Sequence, residues 1–415
     1  MLELYFNHPD RLCDLRQGPL AKRIDDFAAE LYKLGYSRST GRRHLRIVGK
    51  FSKFAQAGGI KNAEQIDEKL IERFINRKSI SGNMRSDAKR AMRHMLKCIY
   101  PIGARPKPLP PAAGAFETML TRYNDHLRDV RGLSPGTREK YLRGARRFYA
   151  WLQTRDKNKP LSALTGIDVL AFITDLVKRH PSGAWRNSLC VETRVFLRYL
   201  YWEEIIKVKL DRTVPKVAGW RLGTIPRHLP WEQVRLLIDS VDTSSPVGKR
   251  DKAVLLLLSV LGLRNQEVRE LKLADIDWRA AEIRLSKTKA LRERVLPLTQ
   301  AVGAALADYI LHGRPHHDSP YIFFYHYAPK VPITSTHGIG DIVRRGMRRL
   351  GIRAPSYGAH ILRHSLATRM VNRGVPIKQI ADVLGHVSID TTAIYTKVNK
   401  ENLATVALPF PGGAS

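Results

Sequence analysis

The pattern of apolar and polar positions predicts a mainly helical chain with one short stretch of strand. Residues 253–261 are almost wholly apolar and predict a buried helix, which Gly262 ends before a second helix begins at Arg264. Between residues 281 and 298, two runs of alternating apolar and polar residues flank a polar stretch, the pattern of a β-hairpin. A further helix is indicated at Ser134-Pro135, where a capping residue precedes a proline.

Two proline-rich stretches divide the helical pattern into segments. Residues 101–111 contain four prolines beyond Pro101 and predict a stiff, extended linker, and a second connector runs from about 214 to 226. The length of 415 residues allows two to four domains, each with an ample core. We therefore expect segments at the following boundaries: 1–105, 114–210, 225–398 and a tail, 399–415.

The charge of the chain indicates a polyanionic partner. The sequence holds 71 Lys and Arg against 38 Asp and Glu, which gives a formal net charge of +33. Residues 1–112, 113–222 and 223–415 carry +12, +10 and +11, so the charge is spread along the whole chain. Such a distribution favours a protein that wraps a nucleic-acid duplex over one with a single basic tail.

Cysteine usage and apolar content point to the bacterial cytoplasm. Cys13, Cys98 and Cys190 lie far apart without metal-ligand spacing, which is typical of free thiols in a reducing compartment. The N-terminus lacks a signal-peptide pattern, and the longest apolar stretch is too short to span a bilayer. We expect a nucleoid-associated protein without a membrane partner.

Residues 360–395 contain several side chains with phosphate chemistry. On a helix, His360, Arg363 and His364 share one face and can converge on a small anion. Arginine binds phosphate bidentately without losing its charge, and Tyr395 offers a phenolic oxygen that can attack phosphorus. With His386 between them, these residues predict a site that breaks a phosphodiester bond.

The same histidine spacing also fits a zinc site, with His386 as a third ligand. Against zinc, Arg363 lies between the two helical histidines, where it would repel a dication, and the glutamate of the zinc-protease motif is missing. Neither a glycine-rich nucleotide loop nor a carboxylate cluster for two Mg²⁺ ions is evident. We expect no cofactor and no metal.

Taken in order along the chain, these motifs resemble the tyrosine recombinases, the family of phage integrases, Xer-type resolvases and related transposon enzymes. The resemblance is close over residues 225–398, looser over 114–206, and absent from residues 1–105, which exceed the usual family length. The matching set comprises Gly-Leu-Arg264 with Glu267, a hairpin lysine at Lys289, His360-x-x-Arg363-His364, Leu-Gly-His386 and Tyr395.

This resemblance implies a mechanism without ATP or metal. Tyr395 would form a 3′-phosphotyrosyl link and release a 5′-hydroxyl, while Arg264 and Arg363 neutralise the transition state. Lys289 would be the general acid, although Lys287 remains an alternative because hairpin tips vary in length. By the resemblance, His360 could assist proton transfer from Tyr395. His364 or His386 would hydrogen-bond a non-bridging oxygen, and Glu267 would support Arg264.

The resemblance also implies the fold: a mainly α, multidomain protein with helical DNA-binding domains and a mixed α/β catalytic domain containing a small antiparallel sheet. Residues 114–210 would form a SAM-like core-binding domain and 225–398 the catalytic domain. The candidate DNA-binding residues on the two basic helices are Arg42, Arg43, Arg46, Arg138, Lys140, Arg143 and Arg147.

An internal repeat is visible when residues 37–55 are laid over 134–152. At a constant offset of 97, five positions match: Ser37, Thr40, Leu45, Arg46 and Phe51 with Ser134, Thr137, Leu142, Arg143 and Phe148. If the repeat is real, residues 1–105 are a second DNA-binding module of the same type. The alternative is coincidence between two basic amphipathic helices.

These inferences together indicate a site-specific recombinase that acts on double-stranded DNA as a homo-tetramer on two duplexes. The long N-terminal segment favours integration, excision or transposition of a mobile element, with other recombinases or accessory factors as further partners. The alternatives are an Xer-like resolvase, a type IB topoisomerase-like enzyme and a catalytically silent DNA-binding accessory protein. Residues 399–415 would dock into a neighbouring protomer or fold back on their own domain.

Overall fold

The structure, a computed structural model, forms two compact units. One unit comprises residues 1–105 together with 225–415, and the other comprises residues 106–224. The residues that the structure describes are 1–77, 82–99, 114–157, 159–180, 182–216, 227–285, 293–354, 356–386 and 390–395.

The N-terminal part of the first unit is a small helical bundle. Its α-helices are α1 (Pro9–Leu15), α2 (Ile24–Lys33), α3 (Arg38–Ala57), α4 (Glu68–Ile75) and α5 (Gly82–Ile99). The long helix α3 begins where the Ser37 side chain accepts a hydrogen bond from the Thr40 amide. Its buried face, which includes Leu45 and Phe51, packs against α2, α4 and α5.

A loop from the C-terminal part of the same unit reaches this bundle. The Lys330 amide donates a hydrogen bond to the Leu34 carbonyl at 3.0 Å, and Ala328 packs against the bundle core. Residues 1–105 are therefore in direct contact with a segment almost 300 positions later in the chain.

In the second unit, the described residues form four α-helices and their connections. They are α6 (Ala115–Asp125), α7 (Pro135–Arg155), α8 (Gly166–Arg179) and α9 (Gly183–Trp202). As the sequence predicts, α7 begins at Ser134 with proline at its first position. One π-helical turn, His126–Val130, continues α6, and the core contains Tyr123, Phe148, Phe172 and Phe196.

The C-terminal part of the first unit combines helices with a small sheet. Its elements are α10 (Trp231–Asp239), α11 (Pro246–Ser259), α12 (Asn265–Glu270), β1 (Ile276–Asp277), β2 (Glu282–Leu285), β3 (Arg294–Pro297), α13 (Gln300–His312), α14 (Gly338–Arg349), α15 (His360–Asn372), α16 (Ile377–Leu384) and α17 (Asp390–Ala393). The apolar helix α11 is the centre of this part, since it packs against α10, α13, α14 and α15. Its burial accounts for the apolar run that predicts it.

The sheet is antiparallel in the order β1-β2-β3. Strands β2 and β3 form the predicted hairpin, with Ile283 opposite Leu296 and Leu285 opposite Arg294. The two-residue strand β1, which the sequence pattern does not predict, pairs with the other edge of β2. The prediction of a mainly α fold with one small antiparallel sheet is confirmed.

Two further observations concern the residues described. No helix among them combines the length and apolar character needed to cross a membrane. Cys13, Cys98 and Cys190 are free thiols, as predicted.

Candidate active site

A glycine turn places the first arginine of the site. Gly262 follows α11 with a φ of +62°, which a residue without a Cβ adopts at low cost, and Arg264 then caps the start of α12. The Arg264 Nη1 atom lies 2.6 Å from Glu267 Oε1, and its backbone amide donates to Glu267 Oε2 at 2.8 Å. Glu267 is thus in direct contact with Arg264, as the predicted supporting role requires.

The second arginine, Arg363, is held by backbone carbonyls. It lies on α15 with 5% of its surface exposed, and its two terminal nitrogens donate to the carbonyls of Gly262 and Leu384. Desolvation by burial, together with the positive charge of Arg264, lowers the pKa of Arg363. The two carbonyls that fix this guanidinium carry no net negative charge. Its positive charge is therefore still available to bind an anionic ligand.

The turn after α16 joins the two arginines. Leu384 ends that helix and its carbonyl bonds Arg363, while the next carbonyl, that of Gly385, accepts from Arg264 Nη2 at 2.5 Å. Gly385 has a φ of +61° and ends α16 in the left-handed conformation. Two neighbouring carbonyls of one helix end thus orient two guanidinium groups from different helices.

A third arginine, Arg294, belongs to the cluster, although the sequence motifs do not include it. It begins β3, its side chain is 9% exposed, and its Nη2 atom lies 2.9 Å from Glu267 Oε2. Its Nη1 atom donates to the Val383 carbonyl at 2.8 Å. One signal in the sequence could have identified it. In an alternating strand, Arg294 shares the face of the buried Leu296, an unusual place for a charge.

Tyr395 lies in contact with a histidine of α15. Its side chain is 1% exposed, and its phenolic oxygen is 2.5 Å from His364 Nδ1. Burial raises the pKa of Tyr395 to about 12 and lowers the pKa of His364 to about 4. At neutral pH both groups are therefore uncharged, so the imidazole can accept a hydrogen bond from the phenol.

His386 lies just beyond the α16 turn and is oriented by a buried threonine. Its Nδ1 atom is 2.7 Å from Thr392 Oγ1, and Thr392 is fully buried. Desolvation, followed by the charges of Arg363 and Arg264, lowers the pKa of His386 to about 4. Its remaining nitrogen, Nε2, is the atom left to face a ligand.

The other predicted site residues differ in how far the structure locates them. His360 is the exposed first residue of α15, one turn before His364, and it adds to the lowering of the His364 pKa. In this arrangement the residue against the Tyr395 phenol is His364, whereas the family resemblance gave that role to His360. Lys289 and its alternative Lys287 lie outside the described residues, as do residues 399–415.

The predicted DNA-binding residues on α3 differ in their exposure. Arg43 and Arg46 are exposed, and Arg43 forms an ion pair with Asp87 of α5 at 3.1 Å. Arg42 is half-buried, and its Nε atom donates to the Tyr5 carbonyl. Arg42 therefore ties the N-terminus to α3, and only its remaining nitrogens are left for DNA.

On α7 the corresponding residues surround a buried acid. Lys140 and Arg147 lie 3.8 and 3.5 Å from the carboxylate oxygens of Glu192, and Arg143 is exposed. Arg138 is half-buried and donates to Asn124 Oδ1 at 3.1 Å.

The site as a whole is a strongly positive cluster with little negative charge to balance it. Of the three guanidinium groups, those of Arg264 and Arg294 form ion pairs with one carboxylate, that of Glu267, whereas Arg363 donates to two backbone carbonyls. Such a surplus of buried positive charge favours an anionic ligand such as a phosphodiester. Within the described part of the chain, no group of three or more His, Cys, Asp and Glu side chains is placed to hold a metal ion.

Comparisons with known proteins agree with this geometry. Residues 227–402 match the phage integrase family, and residues 120–204 match the N-terminal SAM-like domain of phage integrases. The chain is 40% identical over 416 residues to y4rF of Sinorhizobium fredii, a protein assigned as an integrase/recombinase. That match covers 100% of this chain and 97% of the relative.

Two more distant comparisons extend the same result. The tyrosine recombinase XerD of Listeria innocua is 28% identical over 285 residues, which are 68% of this chain and 94% of XerD. The fold is similar to that of the XerH site-specific recombinase bound to a palindromic difH substrate. That match has a TM-score of 0.55 at 17% identity and covers 88% of this chain and 95% of the other.

Proposed function

Because this chain belongs to the phage integrase family of tyrosine recombinases, which are DNA strand-exchange enzymes, we propose that it cuts and rejoins duplex DNA at specific sites through Tyr395. The observation that carries the proposal is the 2.5 Å contact between the Tyr395 phenol and His364, on the same helix as the buried Arg363. A nucleophile, a proton acceptor and a phosphate-binding cation are then side by side.

The chemical step is a transesterification. The Tyr395 oxygen bonds to phosphorus and its proton passes to His364, while the bond between phosphorus and the 5′-oxygen breaks. Lys289 gives a proton to that leaving oxygen, so a 3′-phosphotyrosyl link and a 5′-hydroxyl result. The phosphoester bond is retained in the link, and a 5′-hydroxyl from another strand can reverse the step. No ATP and no metal ion are required.

The arginine cluster supplies the electrostatic part of the catalysis. Arg264 and Arg363 neutralise the charge of the pentavalent transition state, and His386 Nε2 donates to a non-bridging oxygen. Preorganised donors of this kind contribute a few kcal/mol each, on the order of 3 kcal/mol per donor. Backbone carbonyls hold both guanidinium groups before DNA arrives, so little reorganisation is needed during the reaction.

The partner is double-stranded DNA, and the working assembly is a homo-tetramer on two duplexes. The net charge of +33 supports DNA as the partner. We place the protein in the bacterial cytoplasm, in the integration, excision or transposition of a mobile element. A relative of similar length that is assigned as an integrase/recombinase supports that role.

The test begins with DNA from the ends of the element that encodes the protein. Footprinting locates the binding site, and a nicked duplex carrying that site then traps the cleaved strand, because the short downstream fragment diffuses away. We expect a DNA adduct that resists denaturant and is destroyed by protease. A footprint without any adduct would contradict the proposal. It would indicate the alternative function, that of a catalytically silent DNA-binding accessory protein.

Chelation and strand exchange distinguish the remaining alternatives. The adduct should form equally well in EDTA, since the positive charge comes from arginine and lysine side chains. Loss of the adduct in EDTA and its restoration by zinc would instead assign a metal to the histidines. Supercoil relaxation without any exchange between two duplexes would indicate a topoisomerase-like enzyme.

A further inference from the structure

Residues 24–99 have the same order of elements as the SAM-like segment 115–202. In both, a first helix leads into a long second helix, a short 3₁₀ turn follows, and two further helices complete the bundle. The long helices α3 and α7 have 20 and 21 residues, and each packs against the other three helices of its own bundle. The two segments belong to different compact units, so neither bundle borrows a helix from the other.

The turn between the first two helices is built in the same way in both segments. Gly35 and Gly132, which are 97 residues apart, adopt left-handed φ values of +75° and +58°. Two residues later, Ser37 and Ser134 begin the long helix. Each serine hydroxyl lies 3.0 Å from the hydroxyl of the threonine three residues on. Amphipathic helices alone do not require such a match in turn geometry.

The aromatic cores of the two bundles also correspond. In the first, Phe51 meets Phe74 edge to face with ring centroids 5.2 Å apart, and Phe54 lies 5.5 Å from Phe74. In the second bundle the same relations join Phe148, Trp151 and Phe172, at 4.8 and 5.4 Å. Phe51 and Phe54 precede Phe148 and Trp151 by 97 positions, and Phe74 precedes Phe172 by 98.

The third helix of each bundle is introduced in the same way. The 3₁₀ turns Ala63–Gln65 and Leu161–Ala163 are 98 positions apart. The capping residues Asp67 and Thr165 follow at the same offset, and each accepts a hydrogen bond from the amide three residues later. The correspondence therefore extends from the first helix into the third, well beyond the five matched residue types of the sequence.

The charge of the first bundle is concentrated on two of its helices. Helix α3 has six basic residues and no acidic one, and α5 has five basic residues and one acidic residue. In contrast, α2 has three acidic residues and one basic. On α3, the exposed residues Arg43, Arg46 and Lys50 occupy positions i, i+3 and i+7, so they share one face. A long helix with a one-sided positive face suits a phosphate backbone.

That face has a counterpart on α7. At the offset of 97, Arg43, Arg46 and Lys50 correspond to Lys140, Arg143 and Arg147. In each bundle an acid on the fourth helix pairs with this row: Asp87 with Arg43, and Glu192 with Lys140 and Arg147. Both rows are thus held by the same kind of ion pair while keeping an excess of positive charge.

We propose that residues 24–99 are a second copy of the SAM-like DNA-binding fold and bind the backbone of duplex DNA through the Arg43, Arg46 and Lys50 face of α3. The proposal rests on the proposed function only for the identity of the polyanion. It gives the protein two helical modules of one type, one of which belongs to the same compact unit as the candidate active site.

The test is a salt titration of DNA binding by the full-length protein. The variant R43A/R46A/K50A is compared with K61A/K69A/R73A, which removes the same charge from exposed positions at and before α4. The probe is a duplex of arbitrary sequence, because binding to phosphates does not depend on sequence. Unfolding curves check that both variants are folded.

We expect the α3 variant to lower the slope of log affinity against log salt by about 0.9 for each phosphate that it no longer neutralises, and thus by about 2 to 3. Its affinity at low salt should fall by about tenfold or more, whereas the control variant should keep the slope of the wild type. An equal slope for all three proteins would overturn the proposal and assign this face to a protein partner.

This outcome is separable from that of the proposed function. Adduct formation at Tyr395 is measured on the wild-type protein with a nicked duplex, whereas the salt slope needs no cleavage. If the wild type forms no adduct but the α3 variant has the reduced slope, the second module stands and the catalytic proposal fails. If the wild type forms the adduct but the α3 variant keeps the wild-type slope, the catalytic proposal stands and the second DNA-binding module fails.

Discussion

Arg294 carries a charge that is almost wholly buried, and its contacts identify it as a positioning residue. It pairs with Glu267, which in turn holds Arg264, and it bonds the carbonyl of Val383. Desolvation lowers the pKa of Arg294, and the Glu267 carboxylate opposes that effect. Because a buried charge without its partner is costly, each member of this chain of ion pairs fixes the next.

Replacing Arg294 with lysine should slow adduct formation about tenfold, equivalent to about 1.4 kcal/mol in the barrier. The reason is that an ammonium cannot bridge Glu267 and Val383 as a planar guanidinium does. The matched control is Arg284→Lys on β2, where the arginine is exposed and pairs with Asp277 at 3.0 Å. Single-turnover cleavage and thermal unfolding are measured on both. Equal cleavage by the two variants would show that Arg294 does not position the site.

His44 is a second buried ionisable residue, and it lies in the core of the N-terminal bundle. It is fully buried, and neither ring nitrogen has a hydrogen-bond partner among the described residues. Burial lowers the pKa of His44 to about 4 from its ordinary value of 6.5. The folded protein therefore holds this imidazole neutral, and its contribution to stability is present above pH 6.5 and lost as the pH falls towards 4.

For His44→Leu, we expect a weaker dependence of unfolding free energy on pH. Between pH 6.5 and 4.5 the wild type should lose about 2 to 3 kcal/mol more than this variant, because only the wild type must protonate His44 on unfolding. Urea denaturation across this range measures the difference. His316→Leu, the same change at an exposed position, should parallel the wild type. If the unfolding free energy of His44→Leu also follows the pH dependence of the wild type, burial of His44 does not contribute to that dependence.

At the scale of single residues, the sequence predicts which residue types share a site but not which of them are in contact. Spacing on one helix is enough to group Arg363 with His364, because both lie on α15. It does not decide between His360 and His364 as the neighbour of Tyr395, since that depends on how α16, which packs against both α15 and α17, brings Tyr395 to α15. Alternation places Arg294 on the buried face of its strand, but only the fold shows that its partner is Glu267.

At the scale of elements, the positions of Arg264 and Arg363 both depend on the turn between α11 and α12, which contains Gly262. A Cβ at Gly262 would lie 2.9 Å from Cδ2 of both Leu366 and Leu384, and the φ of +62° would itself be strained. The Gly262 carbonyl also accepts the hydrogen bond from Arg363. Packing and backbone conformation therefore both require glycine at this turn.

Gly262→Ala should destabilise the protein by about 2 to 4 kcal/mol, of which about 1 to 2 comes from φ and the rest from overpacking. Gly374→Ala is the control for φ alone, since its φ is +73° and no atom would lie within 4 Å of the added Cβ. Gly340→Ala, inside α14 with open space, should be neutral or stabilising. Equal losses at positions 262 and 374 in chemical denaturation would refute the packing argument.

The predicted general acid, Lys289, lies in the sequence between strands β2 and β3. Lys289→Ala should cleave ordinary DNA poorly and recover on a substrate whose 5′-bridging oxygen is replaced by sulfur, because a thiolate leaves without a proton. Lys287→Ala is the matched variant and should cleave both substrates as the wild type does. Rescue by sulfur of Lys287→Ala in place of Lys289→Ala would move the general acid by two residues.

The hairpin also shows what limits prediction of elements. Its two strands follow from alternation, because Ile283, Leu285 and Leu296 must reach the core while their neighbours face outwards. Strand β1 has only two residues, too few to produce a period, so its pairing with β2 could not be read from the sequence. The same applies to the four-residue helix α17 that precedes Tyr395.

At the scale of the whole molecule, the sequence predicts the order of the segments but not how they pack. The prolines at 101–111 indicate a boundary, which by itself predicts residues 1–105 as a separate segment. The structure places them in one compact unit with residues 225–415, and the contacts between the two parts include the hydrogen bond from the Lys330 amide to the Leu34 carbonyl. Such a pairing of distant residues leaves no local pattern, whereas a charge of +33 is visible in composition alone.

This contact also affects how the N-terminal segment should be studied. Deleting residues 1–105 would expose the surface around Ala328 that the bundle covers, so a loss of DNA binding could follow from damage to the rest of the unit. Point substitutions on the exposed face of α3 avoid that ambiguity because they leave the core intact.

Covalent attachment of Tyr395 to DNA is tested most directly by one measurement. Wild-type protein and Tyr395→Phe are incubated with the nicked duplex, the adduct is digested with protease, and the peptide that carries the nucleotide is sequenced by mass spectrometry. Since phenylalanine lacks only the hydroxyl, Tyr395→Phe should bind the duplex with unchanged affinity and form no adduct. The wild-type adduct should map to Tyr395 through a 3′-phosphate. An adduct that persists in Tyr395→Phe, or that maps to another residue, would contradict the account.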